Sequence, residues 1–261
     1  MASADRHITK KWAKNLGLWL LPVSTLLAFF LWEMLVRWAK FPAFILPPPG
    51  LVFERFIQVF KDGRLLYHAV RTVQEVLLGL LAGSLAAIVL GYWLTRVPML
   101  EKILSPYLVA SQAIPTVAIA PLLVIWFGPG MFSKILICSL TIFFPVLVNT
   151  IIGLRAVPEN LRDVMRSLKA TRLQMLRHLE IPAALPVCLG GLRIGATLSV
   201  IGAVVGEFVG ADRGLGFLVN VARGQYDTAL VFVAVFALVV MALLLYGVVV
   251  ILERYLLSYQ H

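Results

Sequence analysis

Four stretches of this chain, residues 76–95, 103–133, 135–154 and 228–252, contain no Asp, Glu, Lys or Arg. Each is at least 20 residues long, about what a helix needs to cross the hydrocarbon core of a bilayer. Two further apolar runs carry isolated charges: residues 17–36 with Glu33, and residues 184–209 with Arg193 and Glu207. The pattern predicts an all-α integral membrane protein with six transmembrane helices. Composition agrees, because 14 % of the chain is charged where a soluble domain carries about a quarter.

The first run follows Arg6, Lys10, Lys11 and Lys14. It is longer than the usual signal-peptide core and no small-x-small cleavage site follows it, so an uncleaved anchor is expected. Six spans put both termini on one side. With the termini inside, 14 of the 23 Lys and Arg residues fall on the cytoplasmic side, the orientation the positive-inside rule favours. The net charge of +10 therefore reads as membrane orientation and a basic cytoplasmic face. Nucleic-acid binding is not expected, since no basic stretch is interleaved with exposed aromatics. Cys138 and Cys188 lie inside spans and read as small apolar fillers. His7, His68, His178 and His261 form no i, i+4 pair, so no metal site is expected.

Residues 41–50, rich in proline, read as a stiff connector. Residues 51–60 then form a short amphipathic helix that either lies along the outer membrane surface or caps the bundle. Gly79, Gly83, Ala86, Ala87 and Gly91 give the second span a face of small residues. Small residues let helices approach closely in lipid, so this span is expected at the centre. The third run is interrupted around Ser111, Gln112, Pro115 and Thr116, and again at Pro121. Proline removes a backbone donor and frees a carbonyl. The break therefore reads either as a bent helix lining a pathway or as a structural kink. Residues 207–216, with Gly210, Gly214 and Gly216, suggest a re-entrant turn and half-helix. The chain reads as one membrane unit, 1–261, with a five-helix core over about 69–255 and a charged cytoplasmic loop at 158–180.

No G-x-x-x-x-G-K-[ST] phosphate loop occurs, so this chain is not expected to hydrolyse ATP. Nor do the spans carry a ladder of acids or histidines of the kind a proton-coupled carrier uses. If the protein pumps, a partner supplies the energy. Candidate path or gate residues are Ser111, Gln112, Pro115, Thr116, Asn149, Thr197, Ser199 and Glu207. For the polar ones the plain alternative is a bond to a neighbouring helix. Glu207 either faces an outer gate or pairs with Arg213 or Arg223. Arg193 can snorkel to the interface, and Glu33 and Glu75 read as interfacial.

Residues 158–186 differ from the rest. Leu161, Val164, Met165 and Leu168 fall at i, i+3, i+4 and i+7, on one helical face, with Arg162, Arg166 and Lys169 elsewhere. A loop that merely returned the chain across a bilayer would not need such a helix. It looks built to fit a groove on a soluble partner.

Residues 163–182 resemble the cytoplasmic "EAA" loop of importer-type ABC permeases. Ser167-Leu168, Ala170-Thr171-Arg172 and the close Ile181-Pro-Ala-Ala-Leu-Pro186 fit that pattern. Asp163-Val164-Met165 replaces Glu-Ala-Ala, and Lys169 stands where a glycine is usual, so a positive φ there would be strained. Residues 45–50, 113–122, 126–130, 144–150 and 206–216 are similar to the nitrate/sulfonate/taurine branch, which includes thiamine-precursor and riboflavin permeases.

The resemblance implies a homodimer in the cytoplasmic membrane, a pair of ATPase subunits that hold the ATP and magnesium, and an extracytoplasmic binding protein. This chain would hold no cofactor of its own. Coupling to the ATPase would fall to Leu161, Asp163, Val164, Met165, Leu168, Lys169, Ala170 and Arg172. A small organic or oxyanionic nutrient is the expected cargo. A membrane-embedded lipid-modifying enzyme would need clustered acid, His or metal-ligand residues at the interface, and none is seen in the sequence. The amphipathic insert argues against a stand-alone channel.

Overall fold

The computed structural model describes residues 22–112 and 115–258. The start of the first predicted run, at 17–21, and the N-terminal basic residues lie outside the described residues. The elements are α1 (22–39), α2 (Pro49–Lys61), α3 (Arg64–Arg96), α4 (Pro98–Gln112), α5 (Thr116–Phe127), α6 (Met131–Arg155), α7 (Glu159–Ser167), α8 (Arg172–Met175), a π-helical turn (Leu176–Glu180), α9 (Ile181–Gly210), α10 (Leu215–Gly224) and α11 (Thr228–Leu256).

Among the described residues, five helices are long and apolar enough to cross a membrane: 22–39, 64–96, 131–155, 172–210 and 228–256. The third predicted run is not one bent helix. It divides into α4 and α5, of 15 and 12 residues, each too short to span alone. Pro115 is the reason for the new start at α5. Its backbone is extended there, with φ −68° and ψ 121°, and the residue before a proline is disfavoured in a helix.

The centre is α3, α6 and α9, packed through small residues. A Cβ on Gly79 would come within 2.2 Å of the Cys138 side chain, and one on Gly202 within 2.9 Å of the Cys138 backbone. Both neighbouring helices thus close on Cys138, itself fully buried, and α3 takes the central place its glycines predict. Around this core α11 presents most of its surface outward. Helix α1 adds an aromatic contact, Trp32 stacking on Phe232 at 5.0 Å.

Of the two readings of α2, the structure selects the cap. Val52 and Val59 are buried in the core, and Arg55 grips Asp227 at 2.6 Å, at the start of α11.

Beyond α6 the chain turns into α7, α8 and the π-helical turn, then continues without a break into α9. Residues 172–210 form one helical rod of 39 residues, about 58 Å long at 1.5 Å per residue. The π turn directly precedes Pro182, whose ring removes a donor from the next turn and forces a local widening. The closing half of the charged insert is therefore a rigid extension of a membrane helix.

Candidate functional site

Helix α7 opens after Pro158 with Glu159 in its first turn and Arg166 in its last, charges that complement the helix dipole. Leu161, Val164 and Leu168 are 44 %, 56 % and 72 % exposed, and Met165 is half-buried. The apolar face is present and nothing among the described residues covers it. Arg162 donates to the Leu154 carbonyl at 2.9 Å, tying α7 to the end of α6. Arg166 spans Glu159 and Asp163 at 3.1 and 2.9 Å, so Asp163 is engaged within its own helix.

The helix ends on Lys169 at φ +54°. The Ala170 N–H donates to the Met165 carbonyl at 3.0 Å, and the Lys169 N–H to the Arg166 carbonyl at 2.9 Å. These are the two bonds of a Schellman ending, with Lys169 at the left-handed position that glycine normally fills. Thr171 then caps α8 in a reciprocal capping box with Gln174, which sets Arg172 at the first helical position.

At the base of this arm, Glu180 is 2 % exposed and paired with Arg96, the last residue of α3. Arg155 at the end of α6 meets Glu101 of α4 at 2.5 Å. The first pair joins the arm to α3 and the second joins α6 to α4.

Within the membrane region, Ser111 and Thr116 line one cavity of about 360 Å³ with Ile119, Leu140, Thr141, Phe144, Pro145 and Leu198. The break between α4 and α5 brings the two hydroxyls there. Pro115 caps the start of α5, and Gln112 closes α4; the Gln112 side chain lies outside the described residues. Asn149 donates to the Pro145 carbonyl at 2.8 Å. Thr197 donates to the Ile194 carbonyl at 2.9 Å, and Ser199, fully buried, to the Ala196 carbonyl at 2.8 Å. None of these last three lines the cavity.

Glu207 belongs to a different group. It is 1 % exposed and meets neither of the arginines expected of it. Its carboxylate accepts from the Thr72 hydroxyl at 2.7 Å and the Gly216 N–H at 2.5 Å. Arg213 instead pairs with Asp212 at 3.1 Å, and that hydrogen bond holds the Asp212 carboxyl below the ordinary aspartate range. Glu75, read as interfacial, is fully buried. Arg71 donates to it at 3.1 Å, and the Lys134 ammonium, 1 % exposed, stands 3.7 Å away. In place of a ladder, the spans gather Glu75, Glu207, Lys134 and His68 at one end of α3, α6 and α9.

The chain's relatives give this arrangement its setting. Residues 79–258 match the family described as "Binding-protein-dependent transport system inner membrane component". The chain belongs to this family. It is thus a multi-pass permease subunit of the inner membrane, a transport component and not itself a catalyst.

Among its relatives, the riboflavin transport system permease protein RibX of Chloroflexus aurantiacus is 45 % identical over 92 % of this chain and 90 % of its own length. The formylaminopyrimidine transport permease protein ThiX of Halalkalibacterium halodurans is 34 % identical over 90 % of this chain and 93 % of its own. The taurine transport system permease protein TauC of Escherichia coli is 35 % identical over 77 % and 74 %. The fold is also that of a chain from the MetNI methionine ABC transporter, with a TM-score of 0.65, 20 % identity and coverage of 75 % of this chain and 97 % of that one.

In this permease the residues that sequence reasoning missed are charged ones. Lys134 separates two uncharged runs and looks like a loop cation, yet it is buried. Arg96, Arg155, Glu101 and Glu180 flank spans, and only the tertiary fold pairs them. Thr141 and Phe144 line the cavity but carried no signal, being ordinary residues of an apolar run.

Proposed function

We propose that this permease is the membrane half of an ATP-driven importer for a small heterocyclic nutrient, a flavin or a pyrimidine vitamin precursor. Two copies of the chain would enclose the path. A pair of ATPase subunits would dock on α7, and a binding protein would deliver cargo on the opposite side. The broken pair α4 and α5 makes the sixth crossing, and both termini face the cytoplasm.

The observation that carries this reading is the uncovered apolar face of α7, held by the Lys169–Ala170 turn against the foot of the rod that runs into α9. A bare face on an untethered loop could not transmit a push, whereas α7 is tied to α6 through Arg162 and to the α9 rod through a hydrogen-bonded turn. Leu161, Val164, Met165 and Leu168 form the contact. Asp163 and Arg172 stand beside it, and the Lys169–Ala170 turn sets the angle of α7. Closure of the ATPase pair would then move α9 against its neighbours as a rigid body.

Cargo specificity is proposed for the cavity of Ser111, Thr116, Thr141 and Phe144. Hydroxyls beside an aromatic ring suit a planar heterocycle with hydrogen-bonding edges. The similarity to the riboflavin and formylaminopyrimidine permeases supports the same class. Taurine and sulfonate relatives supply the competing cargo.

The experiment is affinity co-purification of the tagged chain from its native membrane, with ATPase activity assayed on the eluate. Recovery of a nucleotide-hydrolysing subunit, lost on Leu161→Asp with Leu168→Asp, is the expected result. An intact chain emerging alone and inert would overturn the docking role of α7. Uptake of labelled riboflavin against labelled taurine then separates the cargo classes.

A further inference from the structure

On the α7 side of the membrane, α9 and α11 part to leave a cleft of about 710 Å³ lined by Arg193, Tyr246, Val250, Glu253, Arg254, Leu257 and Ser258. Two guanidinium groups and one carboxylate face it. Arg193 pairs with Glu253 and lies 5.6 Å from the centre of the Tyr246 ring, so its position is held from two sides. Its Nε is buried and finds no acceptor among the described residues. Arg254 is exposed and has no carboxylate partner among the described residues. The cleft therefore keeps an unbalanced positive charge.

Depth decides what that charge meets. Arg193 is 17 residues from the outer end of α9 at Gly210, roughly 25 Å along the helix, against a hydrocarbon core of about 30 Å. The guanidinium groups thus stand near the level of the lipid phosphates in the leaflet on the α7 side. Beside them α11 turns Val248, Ile251 and Tyr255 outward, 61 %, 68 % and 78 % exposed. That is an apolar wall for acyl chains, ending in an aromatic residue of the kind that sits at headgroup level. Guanidinium forks match phosphate oxygens in geometry and charge. Basic pockets between membrane helices at this depth hold anionic headgroups.

We propose that this cleft binds the phosphodiester headgroup of an anionic phospholipid. Arg254 supplies the free cation, while Arg193, oriented by Glu253 and Tyr246, supplies the fixed one. Val250, one turn deeper along α11 than Arg254, covers the glycerol and the upper acyl chain.

The test uses the permease purified in whatever assembly it forms in its native membrane and transferred to nanodiscs of phosphatidylcholine with or without phosphatidylglycerol. Lipid retained on ejection from the disc is read by native mass spectrometry. Phosphatidylglycerol should be retained in preference to phosphatidylcholine. Arg254→Ala should weaken that retention about tenfold, the loss of one charge-assisted hydrogen bond. Arg254→Lys should restore part of it, and Lys61→Ala, an exposed cation at another place, should leave it unchanged.

Equal retention of the two lipids, or an Arg254→Ala protein that holds phosphatidylglycerol like the parent, overturns the proposal. Displacement of the adduct by millimolar inorganic phosphate would identify a free-anion site and overturn the lipid assignment. Loss of a co-purifying protein subunit on Arg254→Ala would make the cleft a protein-docking face, which also overturns it.

Discussion

The fully buried Thr72 hydroxyl donates to the Glu207 carboxylate at 2.7 Å, joining α3 and α9 at one end of the bundle. The same oxygen accepts the Leu215 N–H at 2.8 Å, Glu207 accepts the Gly216 N–H, and His68 Nδ1 accepts the Gly214 N–H at 3.1 Å. The first N–H groups of a helix have no intrahelical partner. Here α3 and α9 supply those partners for α10, so a helix with no cap of its own is capped by the tertiary fold.

Removing Glu207 should therefore loosen α10 and leave the cluster with excess positive charge. Leaving a buried hydrogen-bond donor without its acceptor costs about 1–3 kcal/mol, and Glu207 accepts from two, the Thr72 hydroxyl and the Gly216 N–H. Glu207→Ala is expected to lower the thermal midpoint of the detergent-solubilised permease markedly, and Glu207→Gln less, because the amide retains an acceptor for Thr72. Equal midpoints for parent and Glu207→Ala would refute the capping role.

Gly214 is required twice over. Its φ is +121°, and a Cβ there would sit 2.1 Å from a Glu207 carboxylate oxygen. Gly214→Ala alone should lower the thermal midpoint sharply. Combined with Glu207→Ala, the steric part of the penalty disappears and only the backbone part remains. A thermal double-mutant cycle should show that favourable coupling.

Lys169 holds a left-handed backbone that costs a non-glycine residue about 1 kcal/mol. Its side chain is exposed and forms no ion pair among the described residues. Lys169→Gly should thus stabilise the α7–α8 turn by about that amount. Hydrogen exchange at the Lys169 and Ala170 amides would register it as slower opening, and faster exchange would contradict the Schellman assignment.

Arg96 neutralises the buried Glu180 at the root of the arm. With Arg96→Ala the carboxylate loses its partner and the arm its tie to α3. If the arm transmits force through this contact, ATP turnover by the assembled transporter continues while cargo uptake per ATP falls. A proportional fall in both activities would mean that the pair serves folding alone.

Thr116→Val keeps shape but deletes a cavity hydroxyl. On the proposed path the loss of one hydrogen bond, about 1 kcal/mol, raises the apparent KM for cargo about fivefold with ATPase coupling unchanged. An unaltered KM would remove Thr116 from the path.

Much of the architecture is legible along the chain because it depends on local pattern. Uncharged runs of 20 or more residues become helices wherever lipid forbids bare backbone, and a period of 3–4 puts Leu161, Val164, Met165 and Leu168 on one face. The small-residue stripe of α3 likewise forecast its central place. The break at Pro115 was visible too, although not that it would separate two helices.

What the tertiary structure alone decided is the fate of the charges. Lys134, Glu75 and Glu207 are buried, and Arg96 holds Glu180 from 84 positions away. A charge stays in a membrane core only if partners from other helices compensate its desolvation. Those partners are set by how α3, α6 and α9 pack, through contacts that no sequence window contains. Five of the six predicted spans were therefore readable from the chain, while the division of the third run, the buried ion pairs, the borrowed cap of α10 and the composition of the cavity wall followed from the fold.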